Sequence, residues 1–205
     1  MLIYERFVVG QLETNSYVFY SDDSKDCFII DPADKSVEME AFIEKKNLTP
    51  QYIVLTHGHM DHCGGAKDLC DKYKIDIMIH SEDKDLILSP INQDLRKNLG
   101  LSNPPVPARL LSDNDLIEEG DLKLKVLFTP GHTPGSISLL FDNVIFSGDT
   151  LFFGSIGRTD LPGGDFGIIK KSLTKLMTFP DNTIILPGHG DFTSIGQEKK
   201  INPFL

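Results

Sequence analysis

The first third of the chain reads as three short β-branched and aromatic runs followed by a helical period. Leu2–Val9, residues 17–20 and residues 27–30 are rich in valine, isoleucine, tyrosine and phenylalanine, and the third run stops at the breaker pair Asp31-Pro32. Over Val37–Lys46 the side chains of Val37, Met39, Ala41, Phe42 and Ile43 fit one face of a helix that ends before Pro50. Residues 52–55 are uninterruptedly apolar, the pattern of a buried strand. A second helix is expected after Gly64-Gly65, reaching about Tyr73, with a strand over residues 75–79. Residues 81–103 carry an interrupted helical pattern closed by Asn103-Pro104-Pro105. The second half predicts strands near Leu116, over Leu122–Phe128, over residues 136–141 and over 144–146. A helix near residues 166–177 and a strand over 183–186 complete it. With no internal repeat or linker, this mixture predicts a layered α/β or α+β architecture.

Composition narrows the picture. A chain of 205 residues, 40% hydrophobic and 24% charged, suits a single domain over residues 1–205 with a real core rather than extended disorder. Its formal charge of −10 argues against a nucleic-acid partner, although bound divalent cations would offset part of it. Apolar runs such as Tyr52-Ile53-Val54-Leu55 are too short to span a bilayer, and Glu5 and Arg6 interrupt the apolar start, so no membrane partner is expected. Three cysteines at unrelated spacings (Cys27, Cys63, Cys70) give no disulfide framework, and the expected setting is a reducing cytoplasm. Nothing in the residues bears on oligomeric state.

The chemistry concentrates in one loop. Three of the six histidines fall in Thr56-His57-Gly58-His59-Met60-Asp61-His62, directly after an apolar strand. In a loop, neighbouring side chains can turn toward one point, which a strand forbids because alternate residues face opposite ways. Imidazole and carboxylate together suit a borderline divalent ion such as zinc. Three later segments repeat the grammar of apolar strand, glycine turn and one potential ligand. They are Pro130-Gly131-His132, Gly148-Asp149-Thr150 and Pro187-Gly188-His189. Taken singly, His132 or His189 beside a glycine reads as an ordinary turn or core residue, and Asp149 as a cap. Jointly, four strand-end loops that deliver ligands to one edge form a site. Asp31 reads as turn chemistry that also buttresses the histidine loop. His80 reads as a helix start or a surface residue, and Cys63 as a small packing residue beside an already complete ligand set.

These segments resemble the metallo-β-lactamase superfamily, whose signature HxHxDH is matched by His57, His59, Asp61 and His62, followed in order by His132, Asp149 and His189. The resemblance spans about residues 1 to 190. It implies a four-layer αββα sandwich, two mixed β-sheets face to face with helices outside and metals at one edge. It further implies that one metal takes His57, His59 and His132, that a second takes Asp61, His62 and His189, and that Asp149 bridges them. Within the superfamily the chain looks most like the type II glyoxalase (hydroxyacylglutathione hydrolase) branch and its short relatives. That likeness rests on Thr14-Asn15-Ser16-Tyr17, on Pro130 to Ser136, on Ser147-Gly148-Asp149-Thr150-Leu151-Phe152 and on Ser155-Ile156-Gly157-Arg158-Thr159-Asp160. Arg158 stands where full-length enzymes of that branch place a lysine that binds glutathione. It is expected either to hold a substrate carboxylate or to pin its loop through Asp160 or Asp165. The C-terminal helical domain that supplies much of the glutathione site in those enzymes has no counterpart among these residues. Asp160 and Asp191 stand where they carry tyrosines.

The implied activity is hydrolysis of a small-molecule acyl thioester of the S-lactoylglutathione type by a metal-bridging hydroxide. Two divalent ions are implied, zinc first, with iron or manganese as alternatives, and Asp61 orients the hydroxide and accepts its proton. A glutathione-persulfide dioxygenase with one iron on His57, His132 and Asp149 resembles the chain in the same signature and in Gly157-Arg158-Thr159-Asp160. A non-catalytic metal-binding scaffold is the rival of another class. A β-lactamase of the commonest branch would carry cysteine in place of Asp149, and a ribonuclease of this fold a basic insert.

Overall fold

The computed structural model describes residues 1–101 and 106–205, so the expected stop at Asn103-Pro104-Pro105 lies outside the described residues. One six-stranded sheet is built from β1 (Leu2–Val9), β2 (Thr14–Ser21), β3 (Asp26–Ile30), β4 (Thr49–Val54), β5 (Asp76–His80) and β6 (Arg109–Leu111), in that spatial order. Pairs among β1, β2 and β3 are antiparallel and those from β3 to β6 parallel, so the sheet is mixed. The second sheet contains β7 (Leu116–Glu119), β8 (Leu122–Phe128), β9 (Ile137–Phe141), β10 (Val144–Gly148), β13 (Ile184–Pro187) and β14 (Thr193–Ser194). Its order is β14-β13-β10-β9-β8-β7, with only β10 and β13 parallel. A two-stranded hairpin, β11 (Leu151–Phe152) with β12 (Ser155–Ile156), stands beside it.

Strand periodicity sorts the side chains into layers. Tyr17, Phe19, Phe28 and Ile30 face Leu124, Val126, Leu139 and Phe146 of the other sheet and form the central core. The alternate residues Val18, Tyr20, Ile29 and Ile53 point the other way. They meet Met39 and Ile43 of α1 (Val37–Lys46), Met60 and Cys63 of α2 (Met60–Cys63), and Ala66 and Leu69 of α3 (Ala66–Tyr73). On the far side, Leu127, Ile145 and Ile185 pack on Leu173 and Leu176 of α5 (Phe166–Leu176) and on Ile195 of α6 (Ile195–Ile201). The result is the expected αββα sandwich. The interrupted region resolves into 3-10 turns at Ser81–Asp83 and Leu86–Leu88 and then α4 (Pro90–Leu99), started by the Ser89 cap with proline in the first turn. The short elements β6, β11, β12, β14 and α6 carry too few residues for a period and were not among the expected elements.

Candidate metal centre

The strands β3, β4, β8, β10 and β13 all end at one edge of the sandwich, and the ligand-type residues follow them. Two backbone contacts close that edge across the sheets: Ile137 donates to the Thr56 carbonyl at 2.9 Å and Asn15 to that of Gly188 at 2.7 Å. Asn15 also reaches the carbonyls of Pro187 and Gly190 through its amide, both at 2.9 Å, which holds the His189 turn. Gly188 has no alternative, because a Cβ there would collide with the Asp149 carboxylate and the His62 ring.

All seven residues singled out as ligands converge. The donor atoms of His57, His59 and His132 lie within 4.8 Å of one another, and so do those of Asp61, His62 and His189. A third group, His57, His62 and Asp149, takes one histidine from each. Asp149 lies between the two groups, with Oδ1 3.3 Å from His62 Nε2, and Oδ2 3.5 Å from His132 Nε2 and 3.7 Å from His189 Nε2. Asp61 Oδ2 is 3.4 Å from His189 Nε2.

Hydrogen bonds at the rear of the rings assign the tautomers. His62 Nδ1 donates to Asp31 Oδ2 at 2.9 Å, His132 Nδ1 to the Arg158 carbonyl at 2.8 Å, and His189 Nδ1 to the Leu12 carbonyl at 3.1 Å. The Thr56 hydroxyl donates to Asp31 at 2.6 Å, which leaves its lone pair for His57 Nδ1 at 3.1 Å. Four rings thus turn Nε2, the atom that would ligate a metal, toward the centre. His59 instead approaches through Nδ1, 2.9 Å from His132 Nε2. His57 Nε2 and Asp149 Oδ1 are buried with no hydrogen-bond partner, a costly arrangement unless a cation satisfies them. The donor set therefore fits divalent metal.

The electrostatics agree. Burial, helped by the neighbouring His62, drops His57 well below the usual imidazole range, and burial with His132 lowers His59 to about 4. Both stay neutral and able to ligate. Burial alone would raise the carboxyls of Asp61 and Asp149, but His189 and His62 outweigh it and hold both ionised. Burial would likewise lower His62, yet Asp149 and Asp31 on either side raise it well above its ordinary value. The surplus negative charge holds a proton where a dication would neutralise the same carboxylates.

A cleft of about 580 Å³ opens over this cluster, with walls that include Leu12, Leu95, Phe152, Ile156 and Leu161. Arg158 stands at its rim, joined to Asp160 by two parallel 2.7 Å hydrogen bonds, and both side chains are exposed. Asp31 does what the sequence suggested, accepting from the Thr56 amide at 2.7 Å as well as from Thr56 Oγ1 and His62. Cys63 is fully buried in the packing beneath α2. His80 is not a surface residue. It is 6% exposed, stacks on Phe128, and caps the following 3-10 turn by accepting from the Glu82 amide at 3.3 Å.

Two buried residues at the site were not anticipated. Asn92 of α4 accepts from the Met60 amide at 3.1 Å and donates to the Gly58 carbonyl at 2.7 Å. Asp83 accepts from Gly58, Thr133 and Gly135. Neither sits in a motif, and Ser81-Glu82-Asp83 looks like a solvated acidic turn, so no sequence signal marked them.

A family profile described as the metallo-β-lactamase superfamily matches residues 9–189. The chain belongs to that superfamily and is, in coarse terms, one of its hydrolases with a site suited to divalent metal. Among proteins, it is similar to a probable metallo-hydrolase, YqgX, of Bacillus subtilis, with 37% identity over 98% of this chain and 97% of that one. It is also similar to hydroxyacylglutathione hydrolase GloC of Haemophilus influenzae, with 38% identity over 90% and 89% of the two chains. Among solved structures it resembles BLEG-1 B3 metallo-β-lactamase, with TM-score 0.89, 36% identity and 99% of each chain covered. TTHA1623 in a di-iron-bound form gives TM-score 0.86 and 33% identity over 98% and 100% of the chains. ETHE1 from Myxococcus xanthus gives 0.82 and 28% over 98% and 83%. Among the described residues no helix is long and apolar enough to cross a membrane.

Proposed function

We propose that the chain is a binuclear metal-dependent hydrolase of acyl thioesters, with S-lactoylglutathione-type compounds the leading substrates. The observation that carries this reading is the convergence of five imidazoles and two carboxylates into two separate ligand groups with Asp149 between them. In it, His57, His59 and His132 hold one ion and Asp61, His62 and His189 the other, with Asp149 shared. Zinc suits the nitrogen and oxygen donors best, and iron or manganese are compatible with them. Two divalent ions there would supply a nucleophile at neutral pH, by lowering the pKa of bound water to about 7, and would polarise the carbonyl under attack.

The chain's own residues do the rest. Asp61, ionised and facing the cleft, orients the attacking water and accepts its proton at a carboxylate oxygen. Leu95, Phe152 and Ile156 keep bulk water off the reacting bond. The exposed Arg158–Asp160 pair is weakly held, so the guanidinium is free to exchange Asp160 for a substrate carboxylate. A departing thiol has a pKa near 8.5 and needs no proton donor. The three free thiols suit a reducing, cytoplasmic setting.

The donors of Asp61, His62 and His189 converge as a second group of their own, which a single iron on His57, His132 and Asp149 would not use, and this favours the two-metal reading. A scaffold without catalysis has no use for a cleft that opens on the ligands. The test is metal analysis of purified protein, with assays of the same sample on S-lactoylglutathione, on glutathione persulfide under oxygen, and on a β-lactam. About two metals per chain with thioester turnover supports the proposal. One iron with oxygen uptake, or turnover of the β-lactam alone, overturns it.

A further inference from the structure

We infer that Asp83 is a positioning residue for one of the two metal sites only, the one formed by His57, His59 and His132. The inference rests on the binuclear reading above. Asp83 ends the 3-10 turn after β5 and is fully buried. Its Oδ2 accepts from the Gly58 amide at 2.8 Å and from the Thr133 hydroxyl at 2.6 Å, and its Oδ1 accepts from the Gly135 amide at 2.6 Å. Gly58 lies between His57 and His59, and Thr133 follows His132. One carboxylate therefore ties the loop after β4, in the first sheet, to the loop after β8, in the second. These two loops carry the three imidazoles of that site and must keep a fixed separation for the nitrogens to share an ion.

The fit is close on both sides. A Cβ on Gly135 would lie 2.5 Å from the Asp83 nitrogen and 2.7 Å from its Cβ and Cγ, so the loop after β8 can approach only as glycine. Among the described residues no lysine or arginine pairs with Asp83, and burial pushes its carboxyl above the ordinary range. What offsets that burial is three directed acceptor contacts to the two loops, whose two amides and one hydroxyl an apolar side chain would leave unpaired.

The other metal group is held by different atoms. His62 rests on Asp31, and His189 on the Leu12 carbonyl, with Asn15 behind its turn. None of these touches Asp83, and the supports of His189 touch no ligand of the first site. Asp31 reaches both sites, since the Thr56 hydroxyl it accepts from also contacts His57 Nδ1 at 3.1 Å.

The experiment titrates metal-free protein with Zn²⁺ in competition with a chromophoric chelator and follows thermal unfolding in parallel. In the wild type two equivalents bind. Asp83→Ala should weaken one of them by about 10- to 100-fold, the usual effect of losing a partner that orients a ligand, and leave the other within about twofold. Asn15→Ala, which frees the His189 turn, should weaken the other equivalent. The double variant then retains no tight equivalent, whereas it would retain one if both residues served the same site. Glu198 is the control for a purely structural carboxylate. It too is fully buried with three neutral donors, Thr193 Oγ1 at 2.5 Å, Asn202 Nδ2 at 2.8 Å and the Gly154 amide at 2.9 Å. Glu198→Gln should lower the melting temperature and move neither affinity. If Asp83→Ala does not fold, Thr133→Val removes one of the three donors and should weaken the same equivalent by a smaller factor. Equal weakening of both equivalents, no weakening at all, or a tight equivalent surviving in the double variant overturns the inference. Fewer than two equivalents in the wild type removes the binuclear reading, and this inference with it, before any variant is compared.

Discussion

Asp31→Asn isolates a proton rather than a shape. Asp31 has φ +48°, a conformation asparagine adopts as readily as aspartate, and the two side chains are nearly isosteric. The aspartate accepts three hydrogen bonds, from the Thr56 amide, the Thr56 hydroxyl and His62 Nδ1. With its oxygen toward the Thr56 amide, an asparagine turns its NH2 toward the hydroxyl and the imidazole. The hydroxyl can rotate and accept. The imidazole can accept only by moving its proton from Nδ1 to Nε2, the atom that faces Asp149 at 3.3 Å and His189 at 3.4 Å. An Nε2–H cannot bind metal, so one ion must displace the favoured tautomer or leave two donors in opposition. A buried unsatisfied donor costs about 1–3 kcal/mol. Through the metal equilibrium, about 1.4–2.7 kcal/mol is a 10- to 100-fold loss of affinity at one site. The assay is the same chelator competition, with Co²⁺ spectra to follow coordination. Affinity unchanged at both sites, or lost equally at both, would refute the argument that Asp31 acts by setting the His62 tautomer.

Asp149→Ala removes the carboxylate between the two groups and should lower kcat/KM on a thioester by on the order of 10³-fold, with the far-UV spectrum unchanged. Arg158→Ala breaks only an exposed pair, so the melting temperature should not move; KM for a substrate with a carboxylate should rise about tenfold or more at constant kcat, as expected for lost uniform binding. Burial pushes the Cys27 thiol up to about 12 and raises Cys63 further, while Cys70 is only half-buried. A disulfide reagent should therefore react with at most one thiol per folded chain and with all three after denaturation.

The convergence of the candidate ligands was legible because motif and periodicity agreed. His57 to His62 could be read as one cluster since a loop relaxes the alternation of a strand, and the apolar runs before His132, Asp149 and His189 identified them as strand ends. Strands with long alternating patterns, such as Leu122–Phe128, needed no tertiary information. What escaped depends on contacts between distant segments. Asp83 reaches 25 residues back to Gly58 and 50 forward to Thr133, and Asn92 reaches back 34 to Gly58. No local pattern encodes such pairings. His80 was open to a surface reading because its stacking on Phe128 comes from a strand of the other sheet. The pairing of Arg158 with Asp160 was anticipated as one of two roles, and the geometry leaves both compatible.

Each proposed metal group draws on both sheets. His57, His59, Asp61 and His62 follow β4 of the first, while His132, Asp149 and His189 follow β8, β10 and β13 of the second. An ion bound to either group therefore joins the sheets at an edge where the backbone already links them through Ile137 to Thr56 and Asn15 to Gly188. That arrangement places the ligands on strand ends rather than on long mobile loops, which keeps their separation rigid. It also gathers negative charge at the seam: Asp149 and Asp31 hold a proton on His62, whose Nε2 faces Asp149 at 3.3 Å and His189 at 3.4 Å. A divalent cation between the rings would take the place of that proton. The charge at this edge and its proposed chemistry have the same origin: a fold that holds the carboxylates and imidazoles together whether or not a metal neutralises them.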